Sequence, residues 1–199
     1  IGSLTEPFVI CHRGAGGMLA PEGTLAAYMQ GASYGSGYVV DGGDWRDTSD
    51  GAIFDIHNST LDTTTTLSGA VSAQTAGAMR RNCTVDCNTW FGFGFADQAY
   101  ALEPRSIFPV AAGGVCFSPE PKTLVAANAL APYLAGRGLL NACLVNAFSD
   151  AYLAPFQTLG FPYLARGLAA GAEHATMADP VAGAARCAAL LALGIRYII

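Results

Sequence analysis

Lysine is almost missing from this chain. Of ten basic residues nine are Arg and Lys122 is the single Lys, against fifteen Asp and Glu, for a net charge of −5. The few cations are scattered, which argues against a nucleic-acid surface. Long apolar runs are missing as well. No stretch of about eighteen uninterrupted apolar residues occurs, so no transmembrane segment is expected. Nucleotide-binding loops of the G-x-G-x-x-G or Walker type are absent, and Gly14-Ala15-Gly16-Gly17 has the wrong spacing for one. Only 13% of residues are charged while 52% are hydrophobic, which is too apolar for disorder. The 199 residues are expected to form one domain over 1–199.

Six cysteines are present. Cys83 and Cys87 lie in the polar stretch NCTVDCNTW and can close a small disulfide, whereas Cys11, Cys116, Cys143 and Cys187 sit in apolar stretches and read as buried thiols. No second ligand pair follows Cys83 and Cys87 at a zinc spacing. Asn58-Ser59-Thr60 and Asn82-Cys83-Thr84 are glycosylation sequons. Together these features lean towards an oxidising compartment, secreted or extracytoplasmic. Ile1 stands where a starting Met would, so the chain is expected to begin after processing or to be a fragment.

Strand-like and helix-like runs alternate. FVICH, GYVVDGGDW, AIFDIH, GVCFSP, CLVNAF, PYLARG, HATMAD and IRYII read as strands. Helical periodicity runs from Thr24 to Ser33, with Leu25, Tyr28 and Met29 on one face, and over Leu124–Ala135 and Val181–Leu193. Asp179, Pro180 and Gly194 mark the ends of that last helix. From Thr63 to Tyr100 periodicity is poor, and a long loop with a short helix around Ala76–Arg81 is expected. Alternation of strands and helices implies parallel βαβ units, in an open doubly wound sheet or a (β/α) barrel. Pattern alone slightly favours the open sheet, since a full barrel typically needs about 250 residues.

Polar residues gather at strand ends, where α/β enzymes place their sites. They are His12-Arg13, Glu22, Asp41 and Asp44 around Gly42-Gly43, and His57. An arginine can bind phosphoryl oxygens bidentately, two carboxylates can hold a divalent cation against them, and two imidazoles can serve as general base and acid. Other readings are plainer. Glu22 reads as a helix-start residue complementing the dipole, Glu120-Pro121-Lys122 as a surface loop pair, and His174 as structural or exposed. Trp45, Trp90, Phe91, Phe93 and Phe95 can line a cleft, though packing is the commoner fate of such residues.

The stretch HRGAGGMLAPEGTLAAY resembles the opening motif of the glycerophosphodiester phosphodiesterase family: His-Arg-Gly-Ala, a short spacer, Pro-Glu-Asn-Thr-Leu and an aromatic. DWRDTSDGAIFDIHNSTLDTTT is similar to the family's acidic strand end, Thr-Lys-Asp-Gly turn, His-Asp pair and Leu-Asp-Arg-Thr-Thr. CLVNAFSDAYLAPFQTLGFPYLARG and ATMADPVAGAARCAALLALGIRYII resemble later strand–helix segments. The resemblance implies an α/β fold of the (β/α) TIM-barrel type, shortened around the sixth βα unit, where too little chain lies between Gly167 and Glu173. It implies His12 and His57 as catalytic acid/base histidines, Arg13 and Lys122 as phosphate ligands, and Asp44, Asp41 and Glu120 as ligands of Ca²⁺ or Mg²⁺. The implied reaction cleaves a small-molecule glycerophosphodiester to an alcohol and glycerol phosphate.

Departures from the family pattern fall in the same places. Gly42 stands where the family has the glutamate of Glu-x-Asp, so Asp41 can substitute only if the strand bulges at Gly42-Gly43. Asn58 follows His57 where the family prefers Asp, and Ala175-Thr176 replaces Trp-Thr. A second reading follows from them: a barrel with an impaired metal cage, serving as a structural or interaction subunit with a protein partner.

Overall fold

The computed structural model describes residues 8–14, 20–34, 38–86, 95, 98, 100, 102–108, 115–166 and 197–198. Among the described residues the strands are β1 (Phe8–Cys11), β2 (Tyr38–Asp47), β3 (Ile53–Asp55), β4 (Cys116–Pro121), β5 (Val145–Ala147), β6 (Leu164–Arg166) and β7 (Tyr197–Ile198). The α-helices among the same residues are α1 (Leu25–Ser33), α2 (Ala76–Asn82), α3 (Pro104–Ile107), α4 (Leu124–Gly136) and α5 (Asp150–Thr158). A Ser or Thr caps four of them: the side chains of Thr24, Thr75, Thr123 and Ser149 accept first-turn amides. Gly138 and Gly160, both at positive φ, follow α4 and α5 and let the chain leave each helix in the left-handed conformation.

Parallel pairing runs β7-β1-β2-β4. A bridge from Phe117 to Cys143, with the Leu144 amide on the Phe117 carbonyl at 2.8 Å, carries the wall on to β5, which pairs with β6 in parallel. The last strand thus lies beside the first, as closure of a (β/α) barrel requires. One strand breaks the parallel expectation. β3 runs antiparallel against the end of β2, with Trp45 opposite Asp55, because only a tight turn around Gly51 separates the two runs. The shortened sixth unit, the HATMAD strand, the helix over Val181–Leu193, His174, Trp90, Phe91, Phe93, Cys87 and Cys187 lie outside the described residues.

β4 continues through Pro119 and Pro121, contrary to the surface-loop reading of Glu120 and Lys122. Amides alternate in direction along a strand. The Lys122 amide reaches the Trp45 carbonyl of β2 at 2.9 Å. Pro119 and Pro121 therefore turn their ring nitrogens to the opposite side, where the ladder to β5 is a single bridge at Phe117, and they cost the β2 ladder no donor.

Two apolar clusters form among the described residues. One packs Val40, Trp45 and Phe117 against Phe108, Leu130, Leu134 and Phe156. Trp45 is fully buried and stacks on Phe108 at 5.7 Å, so it packs and does not line a cleft. The other gathers Phe54, Ile56, Leu61, Val71, Met79, Val85 and Tyr100, with Phe95 against it, giving the Thr-rich segment a core of its own beyond the expected short helix. On α1 the buried face is Ala27, Tyr28 and Gly31, while Leu25 and Met29 are exposed. The small residues win that face because the backbone of Gly14 presses on it: a Cβ at Gly31 would lie 2.9 Å from the Gly14 oxygen. Cys83 is a free buried thiol, pushed up to about 11 chiefly by burial. No helix among the described residues is long and apolar enough to cross a membrane.

Candidate active site

β1 ends in a turn that explains its two terminal cations. Arg13 adopts φ 51°, the left-handed region that costs a side-chain-bearing residue on the order of 1–3 kcal/mol. The kink aims the Arg13 amide at Asp41 Oδ2, 2.8 Å away on β2. Gly14, at φ 75°, then passes so close to α1 that a Cβ would meet the Tyr28 amide nitrogen at 3.0 Å. Strand end, turn and helix are locked together, and the Arg13 guanidinium is delivered to the mouth of the barrel.

There it pairs with Glu22. Glu22 is buried, and its other oxygen accepts the Tyr100 hydroxyl at 3.0 Å. It is thus a site residue that holds Arg13, not merely a residue at a helix start. Arg13 Nε is buried and takes no hydrogen bond among the described residues. Arg13 lines a cleft together with Glu22, Asp44, Asp55, His57 and Tyr100. A guanidinium in the wall of a cleft can bind phosphoryl oxygens through more than one N–H.

His57 follows β3 and is half-buried. The Asn58 amide donates through Nδ2 to Thr63 at 2.8 Å, which turns Asn58 Oδ1 to His57 Nδ1 at 3.0 Å. An oxygen there places a ring proton on Nδ1, facing Asn58. Asn58, where the family prefers Asp, orients the ring without adding a charge. Arg46 secures the same segment through its carbonyls, donating to Ile56 at 3.1 Å and to His57 at 2.8 and 3.1 Å. His12 is exposed and does not line the cleft that holds Arg13 and His57. Its pKa lies below the usual 6.5, through partial burial first, then Arg13 and His57, with Asp44 and Glu22 pulling the other way.

β2 does bulge at Gly42-Gly43. Asp41 pairs with Ser118 and Asp44 with Glu120, so β2 carries one residue more than β4 and Asp41 and Asp44 share a face. Gly43, at φ 95°, takes the bend, and a Cβ on it would strike the Asp55 carboxyl at 3.0 Å. Asp55 is buried; it accepts the Asp44 amide at 2.8 Å and the Tyr28 hydroxyl. Burial, then the Asp44 charge, pushes Asp55 up to about 7. The same two causes hold Asp41 well above the carboxylate range.

Lys122 closes the arrangement. Its Nζ lies 2.9 Å from Asp44 Oδ1 and 2.5 Å from Glu120 Oε1. Burial works to lower its pKa, but Asp44 and Glu120 outweigh it and the ammonium keeps its proton above the usual value. Glu120 is raised, by burial first. The Ca²⁺ or Mg²⁺ implied by the resemblance does not fit this donor set. Asp44 and Glu120 spend their facing oxygens on Lys122, Asp41 spends Oδ2 on the Arg13 amide, and no three ligating groups among the described residues surround one point. Asp55, Tyr28, Tyr100 and Arg46 are the site residues that sequence reasoning missed. An acidic residue inside the apolar run AIFDIH was the one signal available.

No family model and no curated protein matches this sequence. Solved structures do. A glycerophosphodiester phosphodiesterase from Agrobacterium tumefaciens aligns at TM-score 0.65 and 21% identity, covering 79% of this chain and 65% of that one. A glycerophosphoryl diester phosphodiesterase domain from Mycobacterium tuberculosis gives 0.66 and 16%, with 81% and 60% covered. An Oleispira antarctica phosphodiesterase, in complex with the product sn-glycerol-3-phosphate, gives 0.63 and 22%, with 81% and 65% covered. This chain is a (β/α) barrel. More narrowly, its barrel is similar to those of solved glycerophosphodiester phosphodiesterases, and the chain spans 60 to 65% of the length of these three structures.

Proposed function

We propose that this chain is a phosphodiesterase acting on glycerophosphodiesters. The observation that carries the reading is that Arg13, held by Glu22, lines the same cleft as His57, at the strand ends where such barrels hold their substrates. The product complex of the Oleispira antarctica structure supports a small phosphorylated ligand.

In this reading Arg13 and Lys122 bind the phosphoryl oxygens, and Glu22 keeps Arg13 in place. One imidazole of the pair His12 and His57 takes the proton of the neighbouring glycerol hydroxyl. That oxygen attacks phosphorus, the bond to the head-group oxygen breaks, and the other imidazole gives the departing alcohol its proton. Water then opens the cyclic phosphate, with the two histidines exchanging roles, and glycerol phosphate leaves. Arg13, Glu22 and the oriented His57 are an investment that catalysis explains and a structural subunit does not need. Asn82 is exposed at the end of α2, which keeps its sequon open on a secretory route.

The test is release of glycerol phosphate from glycerophosphocholine and glycerophosphoethanolamine, followed by phosphorus NMR. His12→Ala and His57→Ala should each lower turnover by about 10²- to 10⁴-fold. Absence of product from every glycerophosphodiester tried, by a folded wild-type chain, retires the reading.

A further inference from the structure

We propose that the ammonium of Lys122 replaces the divalent cation of the site, standing permanently between Asp44 and Glu120. As an account of turnover it rests on the phosphodiesterase reading; as an account of ion binding it stands alone.

The single lysine of the chain is largely buried, with 13% of its side chain exposed, and it bridges two carboxylates that are 8% and 12% exposed. Its Nζ lies 2.9 and 2.5 Å from their oxygens, whereas a hard divalent ion needs the same oxygens at about 2.0–2.6 Å. Ammonium and ion cannot share the space. For an ion to enter, Lys122 must leave both partners and the Phe148 ring, whose centroid lies 5.4 Å from Nζ. The other Glu120 oxygen faces the Asn146 amide at 3.5 Å.

With Lys122 in place, nothing nearby among the described residues completes a cage for the ion. Gly42 has no side chain, and a Cβ there would meet Pro119 N at 2.9 Å and Phe117 Cβ at 3.1 Å, so the position cannot take a ligand. The bulge brings Asp41 onto the correct face, but aspartate is one methylene shorter than glutamate and its Oδ2 stays on the Arg13 amide. Hard cations are held by ligand number and charge, and both are short here. A lysine ammonium has three donors. With two on Asp44 and Glu120, the third is left for a phosphoryl oxygen, the contact an ion would otherwise make.

Calorimetric titration of the full chain with Ca²⁺, Mg²⁺ and Mn²⁺, each alone at neutral pH, tests this, with Tm followed in parallel. Wild type and Lys122→Arg should give no saturable heat and no rise in Tm. Lys122→Met vacates the space and should bind an ion at about millimolar Kd or tighter, with Tm rising as ion is added. Micromolar binding to the wild type overturns the proposal, as does a folded Lys122→Met chain that stays blind to every ion. If Lys122→Met does not fold, the wild type and Lys122→Arg decide, since their blindness is the claim. In the activity assay, turnover should persist in excess chelator, and loss restored by added ion overturns the proposal. If the chain hydrolyses no glycerophosphodiester, the function falls while calorimetry still judges the lysine.

Discussion

Arg46 donates two hydrogen bonds to the carbonyl of His57, at 2.8 and 3.1 Å, and a third to Ile56. It tethers the antiparallel β3 exit to β2 and so sets where the imidazole stands. Arg46→Ala should lower kcat by about 10- to 100-fold with little change in KM, since small misplacements of a catalytic group cost that much. Arg46→Lys, a single point donor, should recover part of the loss. Turnover measured well below Tm checks this: a purely structural role would lower Tm and leave kcat alone.

Asp55 makes stability depend on pH. The native chain holds its carboxyl proton up to about pH 7, while the unfolded chain gives it up near the ordinary 3.8. The native state therefore binds more protons in that window, and stability falls as pH rises from 4 to 7, then levels off. The decline attributable to Asp55 is at most roughly 4 kcal/mol. Denaturant unfolding at a series of pH values should show it, and Asp55→Asn should flatten it. An unchanged slope in the variant would sink the assignment.

Gly42 is packed too tightly for any side chain. Gly42→Ala should destabilise by about 1–3 kcal/mol, because the atoms in the way are the backbone of Pro119 and the Cβ of Phe117. Gly42→Glu, which restores the family's letters, should destabilise further and create no ion site. Urea midpoints for the two variants are the measurement, and a neutral Gly42→Ala would be inconsistent with this packing.

His12 should titrate below 6.5, because partial burial and then Arg13 disfavour its charged form. Removing the guanidinium in Arg13→Gln should move its midpoint upward. Proton NMR of the imidazole C2–H reads both values directly, without reference to activity. A wild-type midpoint above 6.5 would contradict this account of the charges around His12.

By itself the sequence determined the elements and the direction of several chemical groups. Helical periodicity from Thr24 and from Leu124 marks two helix starts, and the break after Cys11 delivers His12 and Arg13 to a strand end, because periodicity and chain reversals depend on near neighbours. Even the bulge was legible as two glycines between two aspartates. Only the tertiary structure decided which charges meet. Lys122 joins Asp44, Tyr100 joins Glu22, and Arg46 reaches His57 across the β2–β3 hairpin. The two prolines that made Glu120 and Lys122 look like loop residues are harmless once β4 is seen to bond β2 through its other amides. Local patterns record how a strand starts, turns and ends. Which carboxylate a buried cation finds depends on register and on how the wall curves, and those are properties of strands brought together from distant parts of the chain.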